Sequence, residues 1–240
     1  ISGGKPAVVP SVDGEGIKQD DFVKNVQPVL TKTGAARTAT VQVVKAPAKF
    51  TTDMANKLGV KEITGQFTTQ FPYAEYRNIN LSKAAAGING TFLFPGETFS
   101  LDVVLGERTV ALGYAVGYVI SGGKLVKEPG GGISQSATTT FNAIFFAGLE
   151  DVEHHPHTLY FSRYPAGREA TVYYGSLDLR FKNNTPYGVV MQAFVNKASP
   201  GEMGSITVRV WSTKMYDVKS SELAKSNFTT GRVIESADPK

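Results

Sequence analysis

Between positions 128 and 157 the chain reads EPGGGISQSATTTFNAIFFAGLEDVEHHPH: three glycines, a serine, a stretch with helical spacing, then every histidine of the protein. Gly130, Gly131 and Gly132 remove side chains where backbone could approach a ligand, and Ser134 follows at the predicted start of a helix. Exposed N–H groups at a helix N-terminus stabilise an oxyanion or a deprotonated nucleophile. Ser134 is therefore a candidate nucleophile for acyl transfer, with Gln135 beside it as a candidate oxyanion donor. A serine hydroxyl needs a base within hydrogen-bond reach, and His155 and His157 are the candidates. A helix of roughly 13 residues is about 20 Å long. The loop and strand after Gly148, at about 3.3 Å per residue, just suffice to return His155 or His157 to its start. Asp178 in GSLDLRF and Glu169 in GREATV are candidates to orient the imidazole. Arg108 in GERT, Arg163 and Arg168 could each hold a substrate carboxylate by bidentate pairing.

Each of these residues also has a structural reading. Ser134 or Ser136 could cap the helix, the commonest role of serine at such a position. GGGISQS has no lysine after its glycines, which excludes a phosphate-binding P-loop. In an extended segment His155 and His157 share one face and His154 points the other way. Pro156 between them favours an edge strand or an irregular segment. Glu153, His155 and His157 on one strand face form the metal-binding alternative, but no second cluster completes a ligand set, and no cofactor is expected. Asp178, between Leu177 and Leu179, would face opposite to them, towards solvent. The arginines, taken singly, are also ordinary salt-bridge residues.

The elements that must position these residues follow from patterning. Residues 1–60 predict a small α/β unit. It has a strand in KPAVVPSVDGEGI ended by the Asp13-Gly14 turn pair. A helix with Phe22, Val26, Val29 and Leu30 on one face follows, broken or kinked at Pro28. A strand in RTATVQVV and a short helix in TTDMANKLG complete it. From residue 61 the pattern gives a strand (EITGQFTTQF) and a helix carrying Leu81, Ala84, Ala85 and Ile88. Short strands around the Pro95-Gly96 turn in GTFLFPGETFSLDVVLG come next, then a strand in GYAVGYVISGG. The helix after GGG-I-S has Ala137, Phe141, Ile144 and Phe145 on one face and Gly148 as its stop. Its three threonines are poor helix formers and require tertiary support. Several turn-separated strands from TLYF onward and a polar tail over 216–240 complete the reading. Helices followed by antiparallel strands indicate an α+β fold.

Composition narrows the function classes. The 240 residues suit one large domain or a domain plus a smaller piece. With no cysteine there is no disulfide, thiol nucleophile or cysteine-ligated zinc. The formal net charge of +4 comes without a Lys/Arg block, so no nucleic-acid partner is expected. Affinity for an anionic surface such as a cell wall is compatible with it. No run of about 18 apolar residues exists, so these residues are not expected to insert in a membrane. ISGGKPAVVP lacks the basic and apolar regions of a signal peptide.

Taken together, YRNINLSKAAAGINGTFLFPGETFS, GERTVALGY, GGGISQSATTTFNAIFFAGL, EHHPH, YPAGREATV and DLRFKNNTPYGV resemble, in the right order, the VanW family of bacterial envelope proteins. The resemblance covers about residues 62–215, so the domain is expected over 61–215. Residues 1–60 look like the end of the peptidoglycan-binding domain that often precedes it, and 216–240 is expected as an extended tail. The resemblance implies an extracellular, envelope-associated protein, membrane-anchored by a segment outside this sequence, with peptidoglycan or its stem peptides as partner. Many members carry cysteine where this chain has Ser134, and cysteine-bearing members are linked to peptidoglycan cross-linking of the L,D-transpeptidase type. A thiol is partly ionised near neutral pH, whereas a serine hydroxyl depends on its base. The sequence thus leaves open an acyl transferase using Ser134, His155 or His157 and Asp178. It also leaves open a non-catalytic wall-binding module in which Gly130, Gly131, Gly132, Gln135, Arg108 and Arg168 line a groove.

Overall fold

The computed structural model describes residues 1–121, 124–158 and 161–221, together with positions 224 and 230. Its centre is a four-stranded antiparallel sheet in the order β3 (Glu62–Pro72), β11 (Met203–Ser212), β10 (Val189–Asn196), β4 (Phe92–Leu93). The strands alternate as the sequence predicts. On β3 the buried positions are Gly65, Thr69 and Phe71, and on β10 Val189, Met191 and Ala193 are buried. One face of this sheet is covered by α3 (Glu75–Ile88) and α5 (Ser134–Ala147). Leu81, Ala85 and Ile88 of α3, with Ala137, Phe141, Ala143 and Ile144 of α5, join the sheet in one core.

The threonines of α5 receive the tertiary support that their low propensity demands. Thr138 Oγ1 donates to the Ala170 carbonyl (2.9 Å) and accepts from the Ala170 N–H (3.0 Å). Thr139 Oγ1 meets Thr69 Oγ1 on β3 at 2.7 Å. The helix stops where expected. Gly148 adopts a left-handed φ of 72°, and the Leu149 N–H returns to the Ile144 carbonyl at 3.1 Å, a glycine-terminated C-cap.

A second antiparallel sheet runs β5 (Thr98–Ser100), β9 (Arg180–Lys182), β8 (Glu150–Glu153). Phe99 and Phe181 stack across it with centroids 4.6 Å apart. The segment LDVVL, expected as strand, is instead the short helix α4 (Leu101–Leu105). Ser100 caps it by accepting from the Val103 N–H (3.1 Å), and Asp178 accepts from the Asp102 N–H (2.9 Å). Two side-chain caps on one turn outweigh the β preference of a valine pair.

The hairpin β6 (Val116–Ser121) and β7 (Lys124–Pro129) stands apart from both sheets. Asn80 of α3 ties it down: its amide donates to the Ala115 and Gly131 carbonyls, both at 2.9 Å, and its carbonyl accepts from the Ala115 N–H at 2.8 Å.

In the N-terminal region β1 (Gly14–Ile17) pairs antiparallel with β2 (Val43–Ala46). The first strand begins at Gly14 rather than ending there, because Asp13 accepts from the Ala48 N–H (3.0 Å) and so clamps the hairpin's open end. Strand structure in RTATVQVV is confined to its end for the same reason: only Val43 onward meets β1. Helix α1 (Gln19–Val26) carries Asp20 and Asp21 in its first turn, and Pro28 opens the 3-10 turn that follows. Thr51 caps α2 (Thr52–Lys57) by accepting from the Met54 N–H (3.2 Å). Neither helix has a fully buried residue. Contact with the main body comes through Phe50, edge-on to Phe94 at 5.4 Å, through Leu58, whose carbonyl accepts from the Gly188 N–H at 2.8 Å, and through the carbonyls of Gly59 and Gly4, which accept from the Thr213 hydroxyl and the Gln192 amide.

Of the strands expected from TLYF onward, only β9, β10 and β11 form among the described residues; residues 161–179 run as turns and irregular chain, with one isolated bridge between Tyr173 and Leu177. Leu159, Tyr160, Gly122 and Gly123 lie outside the described residues, as does most of the expected tail.

Candidate functional site

The glycine run is a pair of tight turns that aims α5 at a cleft. Gly130 and Gly132 have φ of 80° and 86°, a region that favours glycine. The Ile133 N–H returns to the Gly130 carbonyl and the Gln135 N–H to the Gly132 carbonyl, both at 3.1 Å. Gly131 was expected to admit a ligand; it admits protein instead. A Cβ there would overlap the backbone of Gly117 on β6.

The cleft beside this turn has a volume of about 840 Å³. Its walls are the β6–β7 hairpin, the starts of α3 and α5, and the irregular chain around residues 156–158, 161–164 and 171–177. Gly130, Gly132, Ser134, Gln135, Arg108 and His157 of the sequence-predicted set line it. His155, Asp178, Gly131 and Arg168 do not.

Ser134 is neither cap nor hydrogen-bonded to histidine. The residue preceding the helix is Ile133, which makes no side-chain cap, and Ser136 Oγ donates back to the Ile133 carbonyl at 2.7 Å. Ser134 Oγ instead pairs with Thr171 Oγ1 at 3.1 Å and accepts from the Val172 N–H at 3.4 Å. Gln135 is buried, and its amide donates to Thr69 Oγ1 (2.9 Å) and to the Gln70 carbonyl (3.0 Å). Its backbone N–H and its side chain are therefore both occupied and leave no free donor for an oxyanion at Gln135.

The three histidines separate in a way that strand alternation does not anticipate, because Pro156 breaks the extended pattern. His154 stacks on Phe141 at 3.8 Å between centroids and bonds to the Glu169 carbonyl. His157 Nδ1 meets Glu169 Oε2 at 3.1 Å, with side chains 7% and 13% exposed. His155 Nε2 meets Glu153 Oε1 at 3.0 Å on the outer side of β8. His157 is thus held by Glu169, and the orienting role expected of Asp178 is not met. Asp178 accepts from the Asp102 and Leu179 N–H groups and from the Ser100 hydroxyl, and so organises α4. Burial pushes the His157 imidazole below the usual histidine range, against the opposing pull of Glu169. The Asp178 N–H, together with His155, holds the Glu153 carboxyl below its usual range. The trio Glu153, His155 and His157 is not assembled, and no group of three potential ligands for a metal ion forms among the described residues.

The arginines divide as well. Arg108 Nη1 is tied to Asp102 Oδ1 at 2.6 Å, and its guanidinium lies 5.4 Å from the centre of the Tyr174 ring. Arg168 lies outside the cleft over the Phe145 and Phe146 rings. Arg163 lines the cleft, stacked on Phe161 and Tyr164. Sequence reasoning missed Arg77, Tyr76, Glu107, Glu128 and Thr171, which also line it. No local pattern marked them, because their place in the cleft depends on how the hairpin, α3 and the chain after β8 pack.

The fold and the cleft define an α+β protein with an aromatic, doubly charged groove beside a glycine turn. The chain belongs to the VanW-like protein family, whose profile matches residues 76–211. It is 31% identical over 188 residues to the uncharacterised protein YoaR of Bacillus subtilis (strain 168), a match that takes in 78% of this chain and 61% of that protein. It is 30% identical over 120 residues to the vancomycin B-type resistance protein VanW of Enterococcus faecalis (strain ATCC 700802 / V583), covering 47% of this chain and 43% of that one. The chain thus spans about three-fifths or less of the length of these curated relatives. No solved structure matches it. Among the described residues no helix is long and apolar enough to cross a membrane.

Proposed function

We propose that this protein binds peptidoglycan at the bacterial envelope, outside the cell, and that its cleft holds a stem peptide without acyl transfer at Ser134. The observation that carries the reading is the partnership of Ser134. Its hydroxyl rests on Thr171 and the Val172 N–H, and the donors of Gln135 are occupied. A nucleophilic serine needs a base on its oxygen and free donors around the developing oxyanion. Recognition requires neither. Arg77 and Arg163 in the cleft supply the cations that carboxylate recognition needs. The family context supports a wall role through the resemblance to envelope proteins, one relative being named for vancomycin resistance.

Acyl transfer is the second reading, favoured by His157. Its imidazole lines the same cleft as Ser134 and is held by Glu169, and burial lowers its pKa. Incubation with muropeptides separates the two. Wild type and Ser134→Ala should both be retained on purified sacculi and form no product, while an Arg77→Glu, Arg163→Glu double variant should be lost from the sacculi. Product from wild type that disappears in Ser134→Ala would replace binding with catalysis.

A further inference from the structure

The ionic groups of the cleft do not satisfy one another. Among the described residues Arg108 pairs with Asp102, Arg180 with Glu153 and Lys214 with Asp217, while the three histidines lie against Asp151, Glu153 and Glu169. None of these contacts uses Arg77, Arg163, Glu107 or Glu128, although all four line the cleft. Each of the two cations rests on neutral groups. Arg77 Nη1 reaches Gln135 Oε1 at 3.4 Å, beside Gly132, and Arg163 stacks on Tyr164. The two carboxylates belong to other elements: Glu128 to β7, where the Tyr173 hydroxyl touches it at 3.5 Å, and Glu107 to the turn after α4. Tyr173 is about half exposed beside Glu128, and an aromatic face beside a carboxylate suits an ammonium group.

A ligand bearing one charge would pair with the lining groups of one sign and leave those of the other sign without a partner. A ligand bearing both charges pairs with both sets. The volume of about 840 Å³ lies in the upper part of the range of about 300–1,000 Å³ for ligand pockets, room for a short peptide. From this charge arrangement we infer that the ligand is a zwitterionic peptide, its free terminal carboxylate at Arg77 and Arg163 and its free side-chain ammonium at Glu107 and Glu128. This rests on the wall-binding reading and sharpens it. A stem peptide presents both groups only before cross-linking, because transpeptidation joins a carbonyl of the donor stem, which releases its terminal residue with the free carboxylate, to the side-chain amine of the acceptor stem, which is thereby acylated. The cleft therefore selects uncross-linked stems.

Calorimetry with four synthetic stem peptides tests this: one with a free lysine side chain and a free C-terminus, its Nε-acetylated form, its C-terminal amide, and the doubly blocked peptide. Each single block should weaken binding about tenfold or more, the scale of a lost close charge pair. Glu128→Gln should abolish the penalty of acetylation alone, and Arg77→Gln the penalty of amidation alone. These cross-terms distinguish charge recognition from general damage to the fold. If the acetylated peptide binds as tightly as the free one, the inference is overturned, while retention on sacculi would leave the wall-binding reading standing. If neither peptides nor sacculi bind, both are overturned together.

Discussion

Ser134 and His157 occupy the same cleft but answer to different neighbours. Ser134 is paired with Thr171, so its removal should cost little. Ser134→Ala is expected to lower stability by about 1 kcal/mol, the net worth of an ordinary hydrogen bond, as read from urea unfolding midpoints. His157 gives a sharper expectation. Burial depresses its folded-state pKa, so the unfolded chain takes up its proton more readily. The stability it protects is complete above the unfolded value of about 6.5. It falls as pH drops from there towards the depressed folded value, where the loss levels off. Wild type should therefore lose stability on acidification through that window, and His157→Gln should flatten this part of the profile. An equal slope in both proteins would assign it to other groups.

At the scale of elements, helix α5 stands on borrowed contacts. Thr138 alone satisfies both backbone groups of Ala170. Thr138→Val preserves volume but leaves a buried N–H and C=O without partners, and is expected to destabilise by about 2–4 kcal/mol. The turn that aims α5 is equally constrained. Gly131→Ala must displace the Gly117 backbone, and should cost about 1–3 kcal/mol as an overpacked contact. Because Gly131 also receives the Asn80 amide, the variant should shift the hairpin and weaken sacculus retention, whereas Thr138→Val should leave the retention of folded protein intact. Chemical denaturation paired with pull-down distinguishes the two.

For the whole molecule, the core lies between the four-stranded sheet and α3 and α5, and the N-terminal unit adds little to it. Its helices bury no residue completely, and its attachment runs through Phe50, Leu58 and the carbonyls of Gly4 and Gly59. A chain starting at Lys61 is expected to unfold in one cooperative transition, less stable than the full chain by about 1–2 kcal/mol, the scale of one partly buried aromatic. Differential scanning calorimetry reads this directly. Loss of the transition would make the N-terminal unit part of the folding core instead.

The sequence alone determined the α+β class, the helix from Ser134 to its Gly148 stop, the need of its threonines for outside support, and the family. These are legible because hydrophobic period, turn glycines and low helix propensity act over a few neighbouring residues. It also brought Ser134, Gln135, Gly130, Gly132, Arg108 and His157 to one region. Only the tertiary structure decided what each of them touches. Asp178 turned from histidine partner to helix cap, and Glu169 took its place. His155 and Arg168 left the cleft, Gly131 met Gly117 rather than a ligand, and Arg77 and Glu128 entered. These contacts join positions far apart in sequence, such as Ser134 with Thr171 or Gly131 with Asn80. Such partnerships depend on how the sheet, the two helices and the irregular chain after β8 pack, and local patterning carries no information about that packing.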